Sequence, residues 1–363
     1  MRQYYRLSQG MYNPFIHFPE KNGVKIGWVT YETLHHNARF FWQLTQSGSE
    51  IRAKNIPRWL NKNTSYKNSL YKNSRKYDVV TFVKVMDEPA RTLLAKLKKE
   101  GVVTVFDANV NFYEIWGKYT VPENKATQKQ VEEAFWMTKN ADCVIADSTH
   151  IKKIINRFRN NNVVWIPDNV NTDFYKGKVL HKKKLKYRLI WSGVSSKSLH
   201  LLLIKDVLHK LSRVFAFDMV LVSEKHPDAF DTFREFMDVK YVKFSHSSYR
   251  RELMKSDVII SPKYLTNGYD LGHSEFKITL GMAMGLPAVA SPQKSYIEAI
   301  NYKSGGIIAK NSTEWTKALT SLFSDVSLRK KMGNNAYVTV REKYSTDTIA
   351  KKYMNLFKEL LYE

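Results

Sequence analysis

One stretch of the chain has the residue types needed to hold a phosphate. Gly268-Tyr269-Asp270-Leu271-Gly272-His273-Ser274 leads into Glu275, Phe276 and Lys277, and an apolar helical pattern follows as far as Gly285-Leu286-Pro287. A helix N-terminus offers unpaired backbone N–H groups and the positive end of a dipole, which together suit a diphosphate. Gly268 and Gly272 allow the backbone to approach such a group closely. Lys277 adds a formal charge at the helix start. Gly281, Ala283 and Gly285 let the helix lie against a sheet, and Gly285 with Pro287 stops it sharply. The bland alternative is an ordinary buried helix, since Met and Ala faces are usually core.

A second candidate lies far upstream. Phe106-Asp107-Ala108-Asn109 closes an apolar run. Open α/β sheets collect functional residues at strand ends, which makes Asp107 a candidate base or acceptor contact and Asn109 its neighbour; a plain turn or cap is the alternative. Other chemistries lack their signatures. There is no phosphate loop of the Gly-x-x-x-x-Gly-Lys-Ser/Thr kind and no Gly-x-Gly-x-x-Gly after the first strand. His17, His35 and His36 lack metal-ligand spacing, and no Ser-His-Asp or Cys-His grouping stands out.

The elements that must position these residues alternate regularly. Continuous apolar runs suit parallel strands covered on both faces. They occur at 24–30, 77–83, 102–106, 143–146 and 163–166, then at 188–191, 217–222, 240–244, 258–260, 288–290 and 306–308. Helical patterns fall between them, among them 88–100 and 127–140, the latter with Pro122-Glu123 as a start signal. Between the two series, five lysines and a histidine crowd Lys178 to Lys186 and read as a hinge or linker. Two βα series in tandem imply two doubly wound lobes with a cleft between them. The expected division is 1–176, 177–345, and a C-terminal amphipathic helix within 346–363 that crosses back to the first lobe.

The segment Glu275 to Ser291 resembles the donor-site helix and following strand of family 4 glycosyltransferases, with their Met-Ala-x-Gly-x-Pro-Val-Val pattern. Ile166-Pro167-Asp168-Asn169-Val170-Asn171 to Phe174 is similar to the segment ending that family's first lobe. Trp191-Ser192-Gly193-Val194-Ser195-Ser196-Lys197 looks like its glycine loop, whose lysine contacts donor phosphate. Ala146-Asp147-Ser148 and Tyr296-Ile297-Glu298 fit in order and spacing, over residues 24–345 or so. The resemblance implies an α/β fold of GT-B type: two Rossmann-like, doubly wound domains facing a central cleft. It further implies a nucleotide-sugar donor, linked to UDP or GDP, and transfer with retention of configuration. Lys197 and Lys277 would stabilise charge and Gly193 would flank the phosphates. Lys243 and Phe244 would lie near the base, and the 268–274 loop would cradle the donor. In such enzymes the loop after the first strand lines the cleft, which makes Asn37 and Arg39 acceptor candidates. The family's pair of glutamates falls here on Gly272 and Leu280. Glu275, Asp270 and Glu298 are therefore the acids left to contact the sugar. No metal is required by that fold, because dipoles and cations can stabilise a leaving diphosphate.

Charge and cysteine usage set the context. The 363 residues carry a net charge of +24 and a single cysteine, Cys143. One cysteine excludes an internal disulfide framework and suits a reducing cytosol. Met1 to Glu20 contains no apolar core of a secretory signal, and no run approaches a membrane span. Residues 51–77 hold eight cations and no acid, interleaved with Ile56, Trp59, Leu60, Tyr66, Leu70 and Tyr71. That composition suits an anionic membrane surface or a polyanionic acceptor. The expectation is a cytoplasmic glycosyltransferase, peripheral on the inner face of the cell membrane, acting on a lipid-linked or polymeric cell-envelope glycan. An epimerase of the same fold, which needs an acid/base pair at the sugar, and a basic nucleic-acid-binding protein are the alternatives. No recognised nucleic-acid-binding motif appears.

Overall fold

The apolar runs become two separate parallel sheets. The structure is a computed structural model and describes residues 23–40, 43–44, 47–158 and 162–362. Residues 1–20, with His17, and Phe41 lie outside the described residues. The chain divides into two units. The first comprises residues up to Ile115, Ala126–Asn169 and Thr346 onward; the second comprises Trp116–Lys125 and Val170–Ser345. The division thus falls at Asn169/Val170, earlier than the expected 176, and an excursion at Trp116–Lys125 joins the second unit.

In the first unit six strands pair in parallel in the order β2-β1-β3-β4-β5-β6. They are β1 Lys25–Val29, β2 Lys67–Leu70, β3 Val79–Val83, β4 Val103–Ala108, β5 Cys143–Ala146 and β6 Val163–Trp165. β2 is an edge strand of sequence Lys-Asn-Ser-Leu that the apolar pattern does not announce; the Trp28 indole N–H donates to Asn68 Oδ1 at 3.0 Å. One face of the sheet is covered by helices Glu88–Lys99, Gln128–Asn140 and Thr149–Ile155. Thr127, in a capping box with Gln130, starts the second of these. Pro122–Asn124 forms a separate 3₁₀ turn instead of the expected start.

The other face carries Ile56 and Leu60 of helix Ile56–Asn63 and Ile349, Tyr353 and Phe357 of helix Thr346–Tyr362. This corrects the reading of 51–77 as an interleaved surface. Ile56, Leu60, Tyr66 and Leu70 are core residues, and Trp59 and Tyr71 are half-buried. Each large apolar side chain so removed from water contributes about 1.5–3 kcal/mol. Arg52 is wholly buried as well. Its Nε donates to Asp168 Oδ1 at 2.8 Å, and its Nη1 donates to Ile166 O at 2.9 Å and to Tyr353 Oη at 3.0 Å.

The second sheet runs β12-β11-β10-β7-β8-β9, again all parallel. Its strands are β7 Tyr187–Ser192, β8 Phe217–Ser223, β9 Asp238–Lys243, β10 Val258–Ser261, β11 Ala288–Ala290 and β12 Gly306–Ile308. One face packs helices Phe276–Ala283 and Val326–Thr339, and the other packs Lys205–Ser212 and Ser312–Ser324. Gly281 sits where an added Cβ would lie 2.6 Å from Ile259 Cδ1, so this helix can approach β10 only as glycine. The lysine-rich segment at 178–186 is tied to this unit. Val179 N donates to Met284 O at 2.8 Å, and His181 Nε2 lies 2.8 Å from Gly285 O.

Candidate functional site

In the second sheet, the order in which strands are added reverses between β7 and β10: β8 and β9 lie to one side, β11 and β12 to the other. Ligands of open α/β sheets bind beyond the carboxyl ends of strands at such a switch point. Gly193 and Lys197 follow β7, and Lys263 follows β10. The Gly268–Ser274 stretch lies beside them.

Residues Gly268–Gly272 form a short helical turn rather than an open loop. The turn is set by Asn267, whose Oδ1 accepts the Asp270 N–H at 2.8 Å and whose Nδ2 donates to Asp270 Oδ2 at 2.8 Å. Gly268 and Gly272 are not among the left-handed glycines; Gly285 is, at φ 78°, where it ends helix Phe276–Ala283. Asp270 is buried, with Oδ1 3.7 Å from Lys263 Nζ and 3.6 Å from His200 Nε2. Lys263 Nζ also donates to Asp270 O and to Gln293 Oε1, both at 3.0 Å. Gln293 and Ser295 in turn donate to His273 O.

Three lysines converge here. Lys197 Nζ lies 3.3 Å from Tyr269 Oη and 3.3 Å from His273 Nε2. Lys277 Nζ sits 5.4 Å above the Trp191 ring, a cation–π contact. Burial, together with the charges of Lys197 and Lys263, pushes the Lys277 ammonium well below its ordinary range, and Asp270 only partly offsets this. Burial also lowers Lys197, against the pull of Asp270. His200 is pushed down to about 3 by burial, despite Asp270, with Lys263, Lys277 and Lys197 adding to the shift, so it is a neutral ring near pH 7. A concentration of ammonium groups around one buried carboxylate is an anion site in waiting. Gly193 completes it. A Cβ at this position would meet the Trp191 ring at 2.8 Å and Lys277 Nζ at 2.9 Å.

The remaining expected residues are distributed around this centre. Glu275 is buried at the start of helix Phe276–Ala283, and Glu298 is half-buried, 3.6 Å from Lys294. Burial raises the Tyr344 hydroxyl, and the charges of both acids add to that. Leu271 and Ser274 are half-buried in the same stretch. Lys243 is exposed at the end of β9. Phe244 is 40% exposed, and its ring lies against His246 and Tyr249.

The first-unit candidates fare differently. Asn37 and Arg39 are exposed after helix Tyr31–His35, with Asn37 at φ 51°. His35 pairs with Asp87 at 2.6 Å. Asn109 is half-buried. Asp107, expected as a base or acceptor contact, is wholly buried: its Oδ2 accepts from Tyr353 Oη at 2.5 Å and lies 3.7 Å from Arg52 Nη1. It serves the core in this structure, since no solvent reaches it. Lys263, His200, Asn267 and Gln293 were missed in the sequence. Lys263 alone had a signal, as a cation just past an apolar run.

No protein-family profile matches the chain. An uncharacterized glycosyltransferase of Methanocaldococcus jannaschii is 31% identical over 125 residues, which is 33% of this chain and 30% of that protein. The match therefore spans less than a third of this relative. A glycosyltransferase from Rickettsia africae superposes with a TM-score of 0.64 at 16% identity, over 95% of this chain and 100% of that one. HepE of Anabaena, solved in complex with UDP, gives 0.65 at 13% identity over 93% and 100%. S. aureus TarM, solved in complex with fondaparinux, α-GlcNAc-glycerol and UDP, gives 0.59 at 16% identity over 83% and 58%.

The fold is GT-B.

Within the GT-B fold the second unit is the one whose switch point gathers the lysines. Among the described residues no helix is long and apolar enough to cross a membrane. Nor, among them, does any group of three or more His, Cys, Asp or Glu have the arrangement to hold a metal ion.

Proposed function

We propose that the protein is a glycosyltransferase, akin to family 4, that moves a sugar from a nucleoside diphosphate, UDP or GDP, to a glycan acceptor. The observation that carries this reading is the convergence of Lys197, Lys263 and Lys277 beside Gly193 at the switch point of the second sheet. A nucleotide sugar leaves as a diphosphate, and the developing charge needs donors already in place. Three ammonium groups and the N-terminus of helix Phe276–Ala283 are so placed. The reaction then needs positioning more than covalent chemistry. Lys277 and Lys197 take the phosphates, while Lys263 and His200 hold Asp270 and with it the Gly268–Gly272 turn. Glu275 and Glu298 are the acids for the sugar, and Lys243 and Phe244 serve the base. No metal has a role in this scheme.

On the acceptor side, Asn37, Arg39 and Asn109 of the first unit are the contacts. The acceptor is a lipid-linked or polymeric cell-envelope glycan, and transfer retains the anomeric configuration. The protein works on the inner face of the membrane, held there by its charge. The relatives lend support: HepE was solved with UDP and glucose, and TarM with UDP and a glycosylated glycerol.

Thermal unfolding with UDP, GDP and ADP tests the donor half. A ligand at a hundredfold excess over its dissociation constant adds about 2.7 kcal/mol. Stabilisation by UDP or GDP, lost in Lys277→Ala, is expected. No response to any of the three would sink the reading.

A further inference from the structure

Glu224 follows β8 directly. That strand lies between β7 and β9, with Ser192 opposite Val222 and Ser223 opposite Lys243. Across three neighbouring strand ends the chain therefore sets out the Gly193–Lys197 loop, then Glu224, then Phe244. Backbone bonds hold the row together: Gly193 N donates to Val222 O at 3.1 Å and Phe244 N to Ser223 O at 2.7 Å. A nucleoside diphosphate has three parts in a fixed order: diphosphate, ribose, base. With the diphosphate at the glycine loop and the base at Phe244, the sugar ring of the nucleoside falls over the end of the middle strand.

What stands there is an exposed carboxylate. Its two oxygens accept the Ser195 N–H at 3.1 and 3.2 Å, and Oε2 also accepts the Ser223 hydroxyl at 2.8 Å. These bonds fix its orientation and leave part of its acceptor capacity, about four lone-pair sites, open. Burial pushes this carboxyl up, but the Ser195 N–H and the Ser223 hydroxyl outweigh it and hold it below its ordinary range. At neutral pH it can only accept. A pair of adjacent hydroxyls is the ligand such an acceptor fits. Two other acids considered for the donor are engaged elsewhere: Asp270 is buried against Lys263 and His200, and Glu298 lies beside Lys294.

We propose that Glu224 receives the 2′- and 3′-hydroxyls of the donor's ribose and so selects ribonucleotides. The inference rests on the donor reading above. Its test measures binding of UDP and GDP, each beside its 2′,3′-dideoxy analogue, and of inorganic pyrophosphate, to the wild-type chain, Glu224→Gln and Glu224→Ala. The wild type should bind the ribonucleotide roughly tenfold to a hundredfold more tightly than the analogue, the size of one or two hydrogen bonds to a charged group. Glu224→Ala should erase that ratio and Glu224→Gln should shrink it, while pyrophosphate binds all three alike. A ratio that survives in Glu224→Ala, or a wild type that does not discriminate, overturns the inference and leaves the donor reading standing. An equal loss of pyrophosphate and nucleotide binding in the variants also overturns it, because Glu224 would then merely cap the Ser195 loop. A wild type that binds neither UDP nor GDP overturns the donor reading and this inference together.

Discussion

The Tyr353 hydroxyl donates to Asp107 Oδ2 at 2.5 Å, joining positions 246 apart in the chain. The same oxygen accepts from Arg52 Nη1 at 3.0 Å. Removing it leaves a buried carboxylate oxygen and a buried guanidinium each short of a partner. Tyr353→Phe should therefore lose about 1–3 kcal/mol of stability. A urea unfolding midpoint equal to that of the wild type would show that this network contributes nothing.

Asp147 gives a pH prediction. Burial, then the negative charge of Asp168, raises its carboxyl well above the ordinary range, and Arg52 only partly compensates. A raised folded-state pKa means the folded chain holds a proton that the unfolded chain has released. Its stabilising effect is complete below the ordinary carboxylate pKa and is lost as pH rises through the folded value. Asp147→Asn should thus stabilise the protein most at neutral and alkaline pH and least near pH 4. Urea midpoints for both proteins across that interval provide the check; a difference that grows toward acid refutes the sign.

Lys277 should show stability traded against binding. Its depressed ammonium means the folded chain holds fewer protons than the unfolded one, so stability falls as pH drops from above the ordinary lysine range through the folded value. Lys277→Met keeps the volume and removes the charge. Its thermal midpoint should rise at pH 7, while affinity for UDP or GDP falls roughly tenfold or more. A destabilised variant with full affinity is the opposite outcome.

Gly193→Ala tests the glycine loop. The new methyl would press on the Trp191 ring and on Lys277 Nζ. Nucleotide affinity should drop by a similar factor, with a stability loss of about 1–3 kcal/mol from overpacking. Calorimetric titration showing wild-type affinity would mean that the lysine is free to move aside.

Arg58, Lys62, Lys67, Arg75 and Lys76 are exposed, but the apolar residues between them are in the core or half-buried. Attraction to anionic lipid is then electrostatic, at about 1 kcal/mol per cation near the surface. Binding to anionic vesicles should disappear in high salt and in a Lys62→Glu, Lys67→Glu, Lys72→Glu triple variant. Salt-resistant binding, or binding to neutral vesicles, would contradict it.

Strands buried on both faces, such as β3, β5, β10 and β11, announce themselves as apolar runs, and of the twelve strands among the described residues eleven carry enough apolar sequence to be legible before the structure. β2 was not, because an edge strand whose outward side chains are Lys67 and Ser69 has no such run to show. Lys277 and Lys197 were legible because they flank recognisable turns. Lys263 and His200 were not, because only strand order brings residues after β10 beside residues after β7. Asp107 was misread for a related reason. Its position at a strand end is that of a functional acid, but the residue covering it lies in a helix made much later in the chain. Ile56, Trp59 and Leu60 misled for want of their partner helix, Thr346–Tyr362.

That helix has a consequence for how the chain is made. Arg52 leaves the ribosome early, and Tyr353 follows 301 positions later. Until then one face of the first sheet is covered only in part, by helix Ile56–Asn63, and a guanidinium and carboxylates lack the tyrosine that closes over them in the finished unit. The second unit, whose segments are all complete by Ser345, can finish folding first. The half synthesised first is the half finished last. A stalled or truncated translation product would expose apolar surface on its oldest part, which is where a chaperone would find it.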